Sequence, residues 1–301
     1  MKKVNLLHNP TAGDNDFTKK ELAKLIKEEG FECSYASVKE EGWDNFNDET
    51  DFLVVAGGDG TVRRIAKALM RRRVLDKQFP VALLPHGTAN NIAAALGIGG
   101  EVRDIVKKWH HHHLKPFDIG KIRGAEGDLF FLEGFGYGIF PRLMKVMDKM
   151  REEDIGTTVE EKLKTARIKL ADLAGDFEAR PCRIVADGKE YSDNYLMVEI
   201  MNIRSIGPNL VLAPHADPGD GWFNVAMVAE SQRPRFESYL QALANGEKHE
   251  FDFTAIQARN ITITCEFKEF HADDERMKSE EPLEINVELL ESKMQFVVTD
   301  K

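Results

Sequence analysis

Hydrophobic and polar positions follow two alternating patterns in the first third of the chain. Short apolar runs predict buried strands at residues 4–7, 52–55 and 81–84. Apolar residues at helical spacing predict helices at residues 17–29, 61–73 and 90–96. Because strands alternate with helices, the pattern predicts a parallel sheet covered by helices.

The pattern changes after residue 118, where strand signals dominate. Strands are predicted at residues 129–132, 182–186, 195–200, 223–228, 261–267 and 283–289, and helices at 142–151, 159–173 and 235–244. The alternation in ITITCEF and LEINVEL indicates an antiparallel sheet with one solvated face. We therefore expect an α/β domain at residues 1–118 and a β-rich domain at 119–292. A last strand at 294–298 is expected to return residues 293–301 to the first domain.

Composition limits the class of protein. With 51 acidic and 41 basic residues the net charge is −10, which argues against indiscriminate binding to nucleic acid. The sequence has no apolar run of the ~20 residues that span a membrane, and its first residues make a poor signal peptide. Three cysteines without a CxxC pair argue against a disulfide scaffold and favour a cytoplasmic location.

The segment AGGDGTVRR follows the second apolar run directly. Gly57, Gly58 and Gly60 stand at a strand-to-helix junction, where the missing Cβ atoms let backbone N–H groups approach a ligand. The following helix directs its amino-terminal dipole at the same place, which favours an anion. Asp59 would repel phosphate unless a cation or a substrate hydroxyl lies between them. The segment therefore predicts a site for nucleotide transfer.

Two further loops have the same design: NPTAG at residues 9–13 and PHGTAN at 85–90. Any one such loop can be a simple tight turn. Three at the same end of a parallel sheet favour a shared phosphate site. The sequence contains neither a GxxxxGK[ST] loop nor a GxGxxG fingerprint, so neither an ordinary P-loop nor a dinucleotide fold is predicted.

These motifs resemble the diacylglycerol kinase catalytic-domain family, which includes bacterial lipid kinases and sphingosine kinases. The matching segments are NPTAG, GGDGT at 57–61 and LPHGTANNIAAALGI at 84–98, followed by DIGKI at 118–122, APHADPGDGWFNV at 213–225 and HADDE at 271–275. GGDGT alone is shared with NAD kinases, whereas the GTAN segment is more particular to lipid kinases.

The resemblance implies an α/β fold. It consists of an N-terminal parallel-sheet nucleotide-binding domain, similar to NAD kinases and phosphofructokinases, and a C-terminal antiparallel β-rich domain. It also implies transfer of the γ-phosphoryl group of ATP to a lipid hydroxyl, with Mg²⁺, in a cleft between the domains. Nucleotide contacts are implied for Asn9, Pro10, Thr11, Ala12, Gly13, Gly57, Gly58, Asp59, Gly60, Thr61, Gly87, Thr88 and Asn90.

The resemblance also assigns metal and catalytic residues. Asp217, Asp220 and the carbonyl of Trp222 fall where bacterial members hold a structural Mg²⁺, and their alternative is an aspartate-rich turn. Asp273 falls at the proposed general base and Glu275 at a supporting position; without the match, a solvated loop would be expected. Asp59 is the competing candidate for the base.

Three departures from the family pattern leave the activity open. Arg63 and Arg64 stand where the family usually has Asn-Glu, Asn91 and Ile92 replace Asp-Phe, and Asp274 replaces the glycine of Asp-Gly-Glu. Arg63 also shares a predicted helix face with Lys67 and Arg71. That face is either solvated or a patch that contacts phosphates or an anionic membrane.

Three functions therefore remain. The favoured one is a cytoplasmic lipid kinase that contacts the inner membrane surface transiently and acts on a diacylglycerol- or sphingosine-like alcohol. The second is an NAD kinase, although its further Gly-Phe-Leu and Asn-Glu segments are not found. The third is a non-catalytic protein that binds nucleotide or lipid, and the departures motivate it. No nucleic-acid partner is expected, and the sequence leaves a homodimer open.

Overall fold

A computed structural model describes residues 1–12, 18–73, 75–247 and 251–299 of the chain. The structure divides the chain into two compact units. The first comprises Met1–Phe117 together with Ser292–Lys301, and the second comprises Asp118–Glu291.

The first unit alternates strands and helices. Its strands are β1 (Lys3–His8), β2 (Glu32–Ser37), β3 (Phe52–Gly57) and β4 (Val81–Pro85). Its helices are α1 (Lys19–Glu28), α2 (Asp59–Met70), α3 (Asn91–Ala95) and α4 (Val102–Lys108), and a 3₁₀ turn follows at Trp109–His111.

The strands of the first unit form a parallel sheet in the order β2-β1-β3-β4, as the alternating pattern predicts. Helices cover it, and β3 is buried at every position. The pattern missed β2, because this edge strand is half exposed and carries no apolar run. Helix α2 starts at Asp59, two residues before the predicted start, so Gly60 lies inside its first turn.

The second unit holds most of the strands. Its strands are β5 (His113–Arg123), β6 (Leu129–Phe131), β7 (Gly134–Gly138), β8 (Arg180–Ala186), β9 (Lys189–Met201), β10 (Ser205–Ile206), β11 (Leu210–Val211), β12 (Phe223–Ala229), β13 (Thr254–Ala258), β14 (Asn260–Cys265), β15 (Glu269–Ala272), β16 (Glu275–Lys278) and β17 (Glu284–Val298). Its helices are α5 (Ile139–Met147), α6 (Glu152–Ile155), α7 (Val159–Asp176) and α8 (Arg233–Ala244), with a 3₁₀ turn at Glu230–Gln232. Strands β5 and β17 each continue into the first unit along the chain.

The strands of the second unit pair antiparallel in the order β16-β15-β7-β9-β8-β14-β17, with β12 between β9 and β13. The expected antiparallel, β-rich C-terminal architecture is confirmed. Asp187 and Gly188 form the two-residue turn between β8 and β9, and both have positive φ, as a tight hairpin of this kind requires.

The end of the chain differs from its prediction. Residues 294–298 are not a separate strand, because β17 runs without interruption from Glu284 to Val298. Its end pairs in parallel with β4, Phe296 opposite Val81. Ser292, with φ 51°, changes the course of the backbone within this strand.

The sheet of the second unit is buried on both faces. Successive residues of β9 alternate between them: Met197 and Met201 join an apolar core with helices α5, α7 and α8, whereas Val198 and Ile200 join a core with Phe135 and Phe270. Glu199 lies between Met197 and Met201, on the helix-covered face.

Two observations concern the cysteines and the helices. Cys182 and Cys265 are directly opposite each other on β8 and β14 and form a disulfide, which runs against the expectation drawn from the three sparse cysteines. Among the described residues, we find no helix with the length and apolar character to cross a bilayer.

Candidate functional site

The loops that follow β1, β3 and β4 contact one another in the first unit. Asn9 Nδ2 donates a hydrogen bond to Thr61 Oγ1 at 3.0 Å, and the Asn9 N–H donates to the carbonyl of Ala56 at 2.9 Å. The His86 N–H donates to the carbonyl of Gly57 at 3.1 Å. The structure therefore brings the three predicted loops together at the carboxyl end of the parallel strands.

Glycine is required where two of these loops meet. A Cβ on Gly58 would lie 2.8 Å from Cα of Gly87, and a Cβ on Gly87 would lie closer still to Cα of Gly58. A Cβ on Gly57 would come within 2.5 Å of Thr61 Oγ1. These loops are thus packed backbone against backbone, which leaves main-chain groups rather than side chains to line the site.

Asn90 fixes the third loop. It adopts the left-handed conformation (φ 51°, ψ 41°), which asparagine tolerates well. Its Oδ1 accepts the Gly87 N–H at 2.8 Å, and its Nδ2 donates to the Gly87 carbonyl at 2.7 Å. The side chain thereby closes a tight turn around Gly87.

Asp59 connects the second loop with the third. Its carboxylate accepts the N–H groups of Asn91 at 2.9 Å and Ile92 at 3.1 Å, which begin helix α3. The substitution at Asn91 preserves this contact, because only the backbone takes part. Asp59 thus has a structural function in capping α3, and its function as a proton acceptor stays a prediction.

The remaining loop residues are placed as follows. Thr11 donates from its N–H and its hydroxyl to Asn9 Oδ1, and the Ala12 N–H donates to the Asn9 carbonyl. The exposed positions of the three loops are Pro10, Thr11, Gly60 and Thr88. Gly13 lies outside the described residues. The predicted nucleotide contacts of all these residues stay predictions.

Helix α2 carries most of the basic residues that the sequence predicts to share one face. Arg63 is buried, whereas Arg64 is exposed and lies over the ring of Trp43 at 5.3 Å. The predicted basic face through Arg63, Lys67 and Arg71 is therefore only partly a surface. Burial, and secondarily the charge of His86, lowers the pKa of His8, which favours a neutral imidazole at the end of β1.

Asp273 occupies the tight turn between β15 and β16. It has φ 53°, whereas Asp274 is not among the positive-φ residues of the described chain. The residue that replaces the family glycine thus needs no left-handed backbone. Asp274 and Glu275 are exposed, but Asp273 is buried with 7% of its surface accessible.

The Asp273 carboxylate lies on a row of backbone amides. Oδ1 accepts the N–H groups of Glu133 at 2.8 Å, Leu132 at 3.0 Å and Gly134 at 3.3 Å. Oδ2 lies 3.0 Å from the Leu132 nitrogen. Such amides stabilise negative charge on the carboxylate and fix its orientation.

Asn202 holds the amide row in place. This fully buried residue donates its N–H to the Glu133 carbonyl, and its Nδ2 donates to the carbonyls of Leu132 and Asp118, each at 2.9 Å. Sequence reasoning missed Asn202, because a single asparagine after an apolar strand has no distinctive spacing.

The predicted metal residues lie in a compact turn. Asp217 Oδ1 accepts the Gly219 N–H at 3.0 Å, and Asp220 Oδ1 accepts the Trp222 N–H at 2.9 Å. Burial, together with the negative charges of Asp217 and Asp118, raises the pKa of Asp220. A hard cation would relieve this repulsion, so the residues fit one.

The donor set is nevertheless incomplete in side chains alone. Within the described ranges, no group of three or more histidine, cysteine, aspartate or glutamate side chains is arranged to hold a metal ion. A cation here would need backbone or water oxygens besides the two carboxylates, such as the Trp222 carbonyl. The metal assignment therefore stays a prediction.

Two known domains cover most of the chain. Residues 3–122 match the diacylglycerol kinase catalytic domain, and residues 148–291 match the YegS C-terminal NAD kinase beta sandwich-like domain. The first contains all three glycine loops, and the second contains the Asp217 turn and the Asp273 hairpin.

Individual relatives agree with these matches. A protein of Bacillus subtilis (strain 168) named diacylglycerol kinase is 27% identical over 269 residues, covering 82% of this chain and 80% of its own. In fold, the chain is similar to a diacylglycerol kinase from Bacillus anthracis str. Sterne (TM-score 0.72, 23% identity, 99% and 97% coverage). It is more distantly similar to yeast NADH kinase (TM-score 0.51, 9% identity, 100% and 84% coverage). The resemblance predicted from the motifs is thereby confirmed: residues 3–122 of the chain belong to the diacylglycerol kinase catalytic-domain family.

Proposed function

We propose that this protein transfers the γ-phosphoryl group of ATP to the hydroxyl of a lipid alcohol similar to diacylglycerol or sphingosine. The observation that carries the proposal is the backbone-to-backbone contact of Gly58 with Gly87 beside the amino end of α2. It leaves main-chain groups and a helix dipole to meet an anion, which is what binding of a polyphosphate requires. The diacylglycerol kinase name of the Bacillus subtilis relative supports the choice of acceptor.

The three loops of the first unit bind the phosphates of ATP in this proposal. Phosphoryl transfer needs positioning and neutralisation of charge more than covalent chemistry from the protein. Loops fixed by Asn9, Asn90 and Asp59 supply such positioning, because their hydrogen bonds are already made in the free protein.

Asp273 of the second unit accepts the proton of the lipid hydroxyl as that oxygen bonds to phosphorus. The amides of residues 132–134 orient the carboxylate and donate hydrogen bonds to it. A carboxylate suffices as the base, since the proton can leave after the alcohol has begun to attack. Glu275, two residues on in the same hairpin, adds negative charge that supports this function.

Magnesium has two places in the proposal. Mg²⁺ that arrives with ATP neutralises the phosphates. A second, structural ion would be held by Asp217, Asp220 and the carbonyl of Trp222, where it would stabilise the turn that packs on Asp118 through the Gly221 N–H.

The lipid acceptor requires a membrane contact, which we propose to be transient and on the cytoplasmic side, where ATP is available. Exposed cations of α2, such as Arg64 and Lys67, are suited to anionic headgroups. The protein would then need no spanning segment to reach its substrate.

The test is transfer of labelled phosphate from Mg-ATP to vesicles that contain diacylglycerol, sphingosine or other long-chain alcohols, with NAD as an additional acceptor. We expect a lipid product, and a fall of about 10²- to 10⁴-fold in kcat for Asp273→Asn. Asp274→Asn is the matched control, because it makes the same change one residue away at an exposed position. Its kcat should stay within about 3-fold of wild type, the scale of an ordinary surface substitution.

A non-catalytic function is the second candidate. The observation that favours it is the structural use of Asp59, whose carboxylate is engaged by the start of α3. Calorimetry that detects ATP binding, with no transfer to any lipid or to NAD, would select this candidate. Transfer to NAD alone would select the NAD kinase.

A further inference from the structure

A buried acid–base pair crosses three strands of the second unit. His271 of β15 is opposite Gly136 of β7, which is opposite Glu199 of β9. Gly136 has no side chain, so His271 Nε2 reaches Glu199 Oε2 across it at 2.9 Å. A Cβ on Gly136 would overlap the Glu199 carboxylate. The glycine is therefore the opening through which the pair forms.

Burying these two ionisable side chains costs free energy. Glu199 is 0% and His271 1% exposed, on the apolar face covered by helices. Within the described residues, Glu199 Oε1 has no hydrogen-bond partner. A buried pair of this kind usually gives no more stability than apolar side chains of the same size. The pair therefore gives the core little stability that apolar side chains would not also give.

The bonding pattern fixes one proton on the imidazole. His271 Nδ1 lies 3.0 Å from the carbonyl oxygen of Asp273. A carbonyl can only accept, so Nδ1 carries the hydrogen, and a second proton lies between Nε2 and Glu199. Burial raises the pKa of Glu199. Burial alone would lower the pKa of His271, but Glu199 and the Asp273 carbonyl raise it overall.

Asp273, whose carbonyl accepts the hydrogen bond from His271, has an unusual backbone conformation. At φ 53° it lies in the left-handed region, outside the β15–β16 ladder, which ends with Ala272 opposite Glu275. Its N–H donates to the Gly134 carbonyl at 2.8 Å, and its carboxylate lies on the amides of residues 132–134. His271 thus donates a hydrogen bond to the third polar group of this residue, its carbonyl.

We propose that His271, oriented by Glu199, is a positioning residue for Asp273. The Nδ1–H bond holds the Asp273 carbonyl, and with it the left-handed turn that lays the carboxylate on its amides. The inference rests on the proposed function in one respect: it takes Asp273 as the proton acceptor. The hydrogen bonds that link Glu199, His271 and Asp273 belong to the folded protein and do not depend on the proposed function.

The test uses a matched pair of double variants, H271N/E199M and H271L/E199M. Asparagine and leucine branch alike at Cγ, and the asparagine amide stands near the position of Nδ1, so only the first variant keeps a donor for the Asp273 carbonyl. Methionine replaces the Glu199 carboxylate in both variants. Removing both buried polar partners together avoids an unpaired charge and preserves folding.

Two readouts are measured on both variants. We expect kcat for the lipid to fall by about 10- to 100-fold in H271L/E199M, because small misplacements of a catalytic group cost this much. The KM for ATP should not change, and H271N/E199M should retain near wild-type kcat. Hydrogen exchange at the amides of Leu132, Glu133 and Gly134 should accelerate only in the leucine variant.

A single variant covers the case in which either double variant fails to fold. E199Q keeps the size of the side chain and can donate from its amide to His271 Nε2, which leaves Nδ1–H in place. Its kcat and amide exchange should match wild type, whereas a large loss in either would overturn the positioning function.

The remaining outcomes separate the two proposals. Equal kcat and equal exchange in the asparagine and leucine variants would overturn the inference. A wild-type protein that phosphorylates no lipid would overturn the proposed function instead. Amide exchange would then still decide whether His271 holds Asp273.

Discussion

The glycine loops of the first unit and the Asp273 hairpin of the second are built by opposite means. At Gly58 and Gly87 the loops meet because no side chain stands between them. Around Asp273, by contrast, buried polar side chains supply the contacts: Asn202 holds the amides, and His271 holds the carbonyl. The first site should therefore be sensitive to any added atom, and the second to the loss of a specific donor or acceptor.

Within the glycine loops, the largest effect is expected from Gly87→Ala. The new Cβ would meet the Gly58 backbone and also Asn90 Oδ1 at 2.8 Å, and neither can move without opening a loop. We expect affinity for ATP to fall at least about 100-fold, which corresponds to about 2.8 kcal/mol. Isothermal titration calorimetry measures the dissociation constant for ATP in both proteins.

Gly99→Ala is the control for this prediction, because a Cβ at Gly99 has no neighbour within 4 Å and the backbone there is ordinary. Its affinity for ATP should equal that of wild type. Equal affinities of the two alanine variants would show that backbone contact between the loops does not form the site.

The next effect concerns stability in the second unit. Gly136→Ala should lower the free energy of unfolding by about 1–3 kcal/mol, the range for overpacking, because its Cβ overlaps the Glu199 carboxylate. In an E199A/H271L background the same substitution should cost little, since the atoms that it meets are gone. Urea unfolding of the four proteins gives the coupling energy, which we expect to exceed about 1 kcal/mol. Strictly additive losses would contradict the idea that Gly136 exists to admit the pair.

Much of the first unit could be predicted from sequence because its signals are local. Each apolar run is followed within a few residues by the loop it positions, as in FLVV and GGDGT. Parallel strands then bring the loop ends together whatever the side chains are. The half-exposed edge strand β2 was missed, since it carries no apolar run, and so was the short helix α4.

The Asp273 environment could not be predicted in the same way. Its carboxylate contacts Leu132, 141 residues away, and Glu199 and His271 are 72 residues apart. GFGYG at residues 134–138 lacks the spacing of a dinucleotide-binding loop. Its alternate glycines in fact belong to β7, where Gly136 makes room for the pair. The position of Gly136 between Glu199 and His271 depends on the register of distant strands, which a single sequence does not reveal.

Asp59→Asn tests a position that combines both kinds of construction, because Asp59 is a polar side chain that holds a glycine loop in place. Asparagine offers one acceptor oxygen to the two N–H groups of Asn91 and Ile92, so α3 loses part of its cap, at a cost of about 1 kcal/mol. We expect the KM for ATP to rise about 5-fold, with kcat changed far less than in Asp273→Asn. Steady-state kinetics separate the two. A kcat loss as large as that of Asp273→Asn would make Asp59 the proton acceptor.

The smallest effect is expected at the amino end of α7. The side chains that interact there are close together in the sequence. Glu161 accepts the N–H groups of Thr158 at 3.0 Å and Thr157 at 2.8 Å, and these bonds lower its pKa from 4.5 to about 2. Because the folded pKa is depressed, the stabilisation is complete above about pH 4.5 and is lost as the pH falls towards 2. Protection of the first amides of α7 against hydrogen exchange should therefore decline over this window in wild type. In Glu161→Gln it should stay constant, since glutamine completes the same capping box without titrating. The T-x-x-E spacing of this site is readable from sequence although the site consists of polar side chains. The contacts around Asp273 have no such local spacing. For α7, an equal decline in both proteins would contradict the capping function of the Glu161 carboxylate.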